Sequence, residues 1–193
     1  MLEPHRWHRH RPLPSVAAEL SGGDGVRAQM WDTWLSSVGV GGGWILNLPP
    51  TVTGSIPSGW AAPAIAFGKA LKASFGAPVA SLLATNVTLE CGTSAAALVL
   101  PVSPSAGRWN AVRSAEDVYH HGQLVSAYTV EALVGGKWLN TTSRGQSVGV
   151  GTVDMSGASL AGATKLRWRC LAAAASTVVL SAVDLYHAVP PLT

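Results

Sequence analysis

Few side chains in this sequence are spaced so that they could do chemistry together, and their spacing excludes more than it supports. The most conspicuous stretch is Ser37-Val38-Gly39-Val40-Gly41-Gly42-Gly43-Trp44-Ile45-Leu46-Asn47-Leu48-Pro49-Pro50. A glycine-rich loop cradles phosphate when it follows a strand and opens a helix, whose N-terminus supplies free N–H groups. The order is reversed here. Met30, Trp34, Leu35 and Val38 recur at helical spacing before the glycines, and a tight apolar run that reads as a buried strand follows them. No Gly-Lys-Ser/Thr ending is present, so the reading is a helix-to-strand connection with Gly39 as the C-cap. His5, His8 and His10 have spacings that a metal could use, but they stand among arginines and read as a solvated basic tail. No nucleophile-elbow pattern supports a Ser-His-Asp arrangement. Two cysteines, Cys91 and Cys170, are too few for a disulfide scaffold but enough for one bridge.

Composition bounds what can position these groups. With 193 residues the chain has room for one large or two small domains. Charged residues make up only 12%, while 21 glycines and 12 prolines suit a strand-rich, loop-rich protein better than a helical bundle. The net charge is +3, and Arg6, Arg9 and Arg11 against Glu3 account for +2 of it, which leaves no nucleic-acid footprint on the rest. No stretch is long and apolar enough to span a bilayer. The N-terminus lacks the apolar region of a signal peptide. The sequons Asn86-Val87-Thr88 and Asn140-Thr141-Thr142 would nevertheless accept glycans in a secretory compartment, lysosomal or extracellular. That conflict leads to the expectation that the true start of the protein lies upstream of Met1.

The elements change texture near residue 78. Before it, residues 30–48 read as helix, glycine turn and buried strand. The stretch from Ser58 to Gly76 reads as a second helix, with Ser58 as N-cap, Ile65, Leu71 and Phe75 on one face and Lys69 and Lys72 on the other. After it come short strands. Val87, Leu89 and Cys91 share a face, as do Tyr128, Val130, Ala132 and Val134, and Gly135-Gly136 is a hairpin turn. The clearest strand places Leu166, Trp168 and Cys170 inward and Lys165, Arg167 and Arg169 outward. Frequent turns between short strands indicate an antiparallel sandwich, with both cysteines on inner faces and placed to form a disulfide.

In this order the elements resemble the C-terminal part of an α-L-fucosidase. The glycine run, followed by Gly54 and Ile56, is similar to that family's final barrel strand, "SVGRGxNLLLNVPP" followed by "xxGxI". "EDVYHHGQLVSAYTVEALVGGKW" at 116–138 is similar to its "EDI…GQRV…F.VE…DGKW", "GQSVG" at 145–149 to its "GTSIG", and "LRWRCLAAAASTVVLSAVDLY" to its closing strands. Val40 stands where the family has arginine, and "VGT" replaces a lysine-arginine pair. The resemblance runs from about residue 30 to the end.

It implies a mainly β fold: a C-terminal antiparallel β-sandwich (galactose-binding-like), preceded by the last helix-strand-helix piece of a (β/α) barrel. The expected parts are an N-terminal extension over 1–29, the barrel remnant over 30–77 and the sandwich over 78–193. It also implies a retaining glycosidase whose Asp nucleophile and acid/base lie earlier in the barrel. Such enzymes need two carboxylates roughly 5–5.5 Å apart. Here Asp32 sits on a helix, Glu116 and Asp117 are adjacent and would face opposite ways, and Glu131 and Asp184 lie in sandwich strands with solvated faces as the default. No catalytic pair is found. Asn47, near the active-site end of the last strand, could touch sugar or cap the strand end. Trp44 reads as core. Trp138 could stack on a sugar face or pack on the sandwich. Trp109 and the Tyr119-His120-His121 run read as loop residues that could bind sugar or simply be exposed.

The expectation is therefore a fragment of an α-L-fucosidase. Its partners would be fucosylated glycans, through the parent enzyme, and the missing N-terminal barrel. No cofactor, metal, nucleic acid or membrane is expected. The alternative is a free-standing carbohydrate-binding sandwich. Against it, one strand and two helices cannot close a barrel and would leave apolar surface exposed.

Overall fold

The structure is a computed structural model and describes residues 23–92, 97–143, 145–156 and 160–189. Residues 1–22 of the expected extension, with His5, His8 and His10, lie outside the described residues. The elements in chain order are α1 (Gly23–Ser36), a 3-10 turn (Val38–Val40), α2 (Ser58–Phe75), β1 (Ala80–Ser81), β2 (Val87–Glu90), β3 (Leu98–Pro101), β4 (Ala111–Glu116), the short α3 (Val118–His121), β5 (Val125–Val134), β6 (Lys137–Asn140), β7 (Thr152–Met155), β8 (Ala163–Ala173) and β9 (Thr177–Tyr186).

The strands form two antiparallel sheets. In one, β1 and β2 both pair with β9, which pairs with β4, which pairs with β7; the other runs β3-β8-β5-β6. Alternation sets the inner faces, because successive side chains on a strand point to opposite sides. Tyr128, Val130, Ala132, Leu166 and Trp168 from the second sheet meet Val112, Val178, Leu180, Val183 and Leu185 from the first. In β9 the inward set shifts by one residue between Leu180 and Val183. A register break opposite Ala115 and Glu116 absorbs the shift, and the Ser181 hydroxyl fills it by donating to the carbonyls of Ala115 and Glu116. The β5–β6 hairpin turns at Gly135 and Gly136, with φ of 56° and 79°. Both lie in the left-handed region that a two-residue turn matching the sheet twist requires.

Two polar bridges cross the core. The rings of Tyr128 and Trp168 stack at 5.4 Å and 8°. From the second sheet, the Tyr128 hydroxyl donates to Asp154 of β7 at 2.6 Å, and Trp168 Nε1 donates to Ser114 of β4 at 3.1 Å. The Cys91–Cys170 disulfide, with Cα atoms 4.8 Å apart, adds a covalent link between the end of β2 and β8.

The helices form a third layer on the outer face of the first sheet. Val26, Met30 and Trp31 of α1 and Phe67 of α2 bury against Ala111, Val153 and Tyr186. Phe75 stacks on Trp34 at 4.9 Å. Two side chains fasten this layer to the tail: Asn110 both donates to and accepts from the Ala188 backbone, and Ser74 does the same with Val189.

Four details differ from the sequence reading. Helix α1 begins at Gly23, because Val26 extends the buried stripe of Met30 and Trp31 by one turn. It ends at Ser36, and a 3-10 turn follows, so the left-handed closing residue is Gly41, with φ of 81°, rather than Gly39. Ser58 is the first helical residue of α2 and Pro57 its cap; the buried stripe runs through Ala64, Phe67, Leu71 and Phe75, leaving Ile65 exposed. The run Trp44–Leu48 is not a buried strand. It carries no ladder, Ile45 is 93% exposed, and only Trp44 finds a partner, edge-on to Phe67. A strand needs a second backbone alongside, and none of the described residues supplies one.

Trp168 is fully buried, so Trp168→Ala should cost about 3–5 kcal/mol in urea melts. Arg167→Ala, on the outer face of the same strand, should cost far less; equal losses would contradict the face assignment. The paired change Cys91→Ala with Cys170→Ala should lower stability by about 2–5 kcal/mol, since the bridge closes a long loop of the unfolded chain. The same melt without reductant measures it, and an unchanged midpoint would mean that the bridge constrains nothing.

Candidate functional site

Hydrolytic chemistry on a glycoside would need two carboxylates facing one cleft. Among the described residues the carboxylates of the sandwich interior and its rim are mostly engaged with donors of their own, and no two of them face one cleft. Glu116, only 4% exposed, accepts from the backbone N–H groups of Leu124, Val125 and Gly149 at 2.8–3.0 Å. Asp154 is buried and accepts from Tyr128 Oη and from the N–H and hydroxyl of Ser143. Glu131 is held by Arg167 through two contacts of 2.8 Å, with Arg169 at 3.3 Å. Asp184 pairs with Arg113 at 3.3 Å. Asp117 lies 2.9 Å from His120 Nδ1 and accepts from Asn86 Nδ2. Asp32 and Glu90 project into solvent from a helix and a strand. Nothing local in the sequence signals the burial of Glu116 and Asp154, because a carboxylate bonded to backbone N–H groups reads like a solvated one.

The electrostatics follow these contacts. The hydrogen bond with His120 holds the Asp117 carboxyl below its ordinary value of 3.8. The Arg167 guanidinium does the same for Glu131, below 4.5. Burial pushes the Tyr186 phenol up from 10.0.

The candidate sugar contacts are not brought together. Asn47 is exposed within the unpaired 43–50 segment. Trp109 is a correction: its side chain is 1% exposed and forms part of the sandwich core, so no ring face is open to a ligand. Its polar neighbours Arg108 and Asn110 suggested a surface loop, but the ring turns inward. His120 is exposed, hydrogen-bonded to Asp117 through Nδ1, and packed edge-on against Tyr119, which is 92% exposed. The Trp138 ring is covered by the Arg167 guanidinium at 4.2 Å. The sequon residues Asn86 and Asn140 are both exposed; Asn86 donates to Asp117, and Asn140 Oδ1 accepts from Thr142 N. Among the described residues no group of three or more His, Cys, Asp or Glu side chains could hold a metal, and no helix is long and apolar enough to cross a membrane.

Two concavities stand out among the described residues. One, of about 330 Å³, lies between the helical layer and the first sheet, walled by Trp34, Phe75 and Tyr186 and floored by Arg113 and the Gly41-Gly42 backbone. Arg113 is committed there to Asp184 and to the Val150 carbonyl. The other, an open cleft of about 690 Å³ at one end of the sandwich, lies between residues 123–126, 146–147 and 173–174.

No family model matches the sequence, and no curated protein matches it. Solved structures do. A Bacteroides ovatus protein assigned as an α-L-fucosidase superposes with a TM-score of 0.73 at 24% identity, over 85% of this chain and 27% of its own. A glycoside hydrolase 29 family member from an unknown rumen bacterium gives 0.69 at 23% identity, over 86% and 29%. A Ruminococcus gnavus GH29 fucosidase in complex with fucose gives 0.65 at 16% identity, over 84% and 37%. At these identities the likeness is one of fold, and the chain spans well under half of each structure.

The Glu131 contacts predict a pH dependence. A carboxyl with a lowered folded value contributes stability that is complete above its unfolded value and is lost as the pH falls through the folded one. The stability difference between the native chain and Glu131→Gln should therefore be largest near about pH 6 and shrink toward about pH 3. Urea melts across that range measure it, and a difference independent of pH would mean that the pair is already screened.

Proposed function

We propose that this chain is the closing part of an α-L-fucosidase of glycoside hydrolase family 29, a retaining enzyme that removes α-L-fucosyl residues from glycans. The observation that carries the reading is the order of parts: two helices flanking a Gly-rich turn and an "LNLPP" segment, then a two-sheet sandwich, in a fold shared over 84–86% of the chain with the GH29 structures. The unpaired apolar run Trp44–Leu48 supports it, because Ile45 and Leu46 are exposed where a neighbouring barrel strand would cover them. In this reading residues 30–77 are the last piece of the barrel and 78–193 the accessory sandwich, with the helical layer already docked on the first sheet.

The parent reaction needs one carboxylate to attack the anomeric carbon and another to protonate the leaving oxygen, then to activate the water that frees the sugar. Both groups would stand on earlier barrel strands. The engagement of Glu116, Asp117, Glu131, Asp154 and Asp184 with donors of their own supports that placement. Asn47 would then lie beside the sugar side of the last strand. The disulfide and the two exposed sequons support a secretory compartment, lysosomal or extracellular, because disulfides persist in oxidising surroundings.

Long-read sequencing of the transcript tests the reading. It should show an open frame continuing upstream of Met1 that encodes further barrel strands with an Asp and a second carboxylate. The 193-residue chain purified alone should leave a chromogenic α-L-fucoside intact, and the longer product should hydrolyse it. Turnover by the short chain that is lost on changing Asp32, Glu116 or Asp117 would overturn the proposal. So would a longer transcript whose product lacks the activity.

A further inference from the structure

We infer that the cavity between the helical layer and the first sheet is a binding site for a neutral, flat aromatic ring that carries an acceptor oxygen, an aryl carbonyl being the simplest case. Both of its sides belong to this chain, so the inference does not depend on the hydrolase reading. Rings from three elements form the wall. Trp34 of α1 stacks on Phe75 of α2 at 4.9 Å and 25°, and Phe75 meets Tyr186 of β9 at 5.4 Å and 60°. All three line the cavity. A further ring set against them would continue the cluster in stacked or edge-on contact, which stabilises beyond the area it buries. The volume of about 330 Å³ lies at the small end of the range for small-molecule sites, about 300–1,000 Å³.

The floor is bare backbone, and three glycines keep it so. A Cβ on Gly41 would meet Val150 Cγ2 at 3.1 Å, one on Gly42 the Ser37 carbonyl oxygen at 2.9 Å, and one on Gly151 the Arg113 guanidinium at 2.9 Å. The end of the glycine turn after α1 therefore offers a flat surface on which a planar ring can lie. The polar corner donates. Arg113 gives one N–H to Asp184 at 3.3 Å and one to the Val150 carbonyl at 3.1 Å, and a guanidinium carries five N–H donors and no acceptor. The Tyr186 phenol stands close enough to Arg113 and Asp184 for both charges to act on it, and burial keeps its proton in place. These donors call for an acceptor on the ligand. Charge narrows the choice: a cation would meet the guanidinium, and a carboxylate would compete with Asp184 for it. A neutral carbonyl does neither.

The test is protein-observed NMR titration of the full 193-residue chain with benzamide. Benzylamine and benzoate vary the charge, and cyclohexanecarboxamide keeps the carbonyl without the flat ring. Benzamide should give saturable shifts with a dissociation constant in the millimolar range or tighter, and the other three should bind more weakly. Tyr186→Phe, which removes only the hydroxyl, should weaken benzamide by about fivefold. Val150 is 58% exposed and lines the cavity, so Val150→Trp should fill it and abolish binding, while Val150→Ala should leave binding intact. Absence of saturable benzamide binding would overturn the inference. So would binding that persists in Val150→Trp, or equal affinity for cyclohexanecarboxamide, which would make the cavity a plain apolar void. Displacement of benzamide by L-fucose would give the cavity to a sugar and refute the aromatic assignment.

Discussion

The two sheets are registered against each other by hydrogen bonds from a stacked aromatic pair. Tyr128 and Trp168 lie on adjacent strands of one sheet, and each ends in a polar group that reaches the other sheet. An apolar core alone tolerates sliding, because burial is indifferent to direction. A buried donor left without its acceptor costs free energy, so only one offset of the sheets satisfies both Tyr128 Oη and Trp168 Nε1. The inward placement of Leu166 and Val130 on one side and Val112 and Leu185 on the other depends on that offset. So does the approach of Cys91 to Cys170.

The buried carboxylates extend this logic from the centre of the sandwich to its loops. Asp154 takes the Tyr128 hydroxyl and also the backbone of Ser143, so the core bond is continuous with the connection that follows β6. Glu116 does at one end of the sandwich what a cap does for a helix, collecting N–H groups that no strand satisfies. Its neighbour Asp117 faces the opposite way and ties His120 and Asn86 instead. Two adjacent acids thus serve two separate structural purposes.

The sequence was most legible where one face of an element is buried and the other is wet. Leu166-Trp168-Cys170 and Tyr128-Val130-Ala132 alternate because the sheet divides core from solvent, and the outer Arg167 and Glu131 find each other on that wet face. Gly135-Gly136 was legible because few residues accept its backbone. What escaped depends on partners far along the chain. Nothing local separates Trp109 in a buried loop from an exposed tryptophan, or marks Glu116 as a ligand for Gly149. Strand character at Ile45 was read from its apolar run, but pairing is a relation between two segments, and of that run only Trp44 packs on a ring, that of Phe67. Gln123 and Gln146 are unremarkable until topology sets their loops side by side.

The place of β9 bears on how the protein comes to be folded during synthesis. This strand, Thr177–Tyr186, is the hub of its sheet: β1, β2 and β4 all take it as partner. Every one of them leaves the ribosome before it does, and of these only β4 has another partner, β7. The inner surfaces of β1 and β2 must therefore wait, unpaired, for about ninety further residues of translation, several seconds at ordinary elongation rates. The helical layer waits with them, because Tyr186 and the backbone of Ala188 and Val189 form part of its seat. Folding of this region is in effect a single late event set by the emergence of one strand.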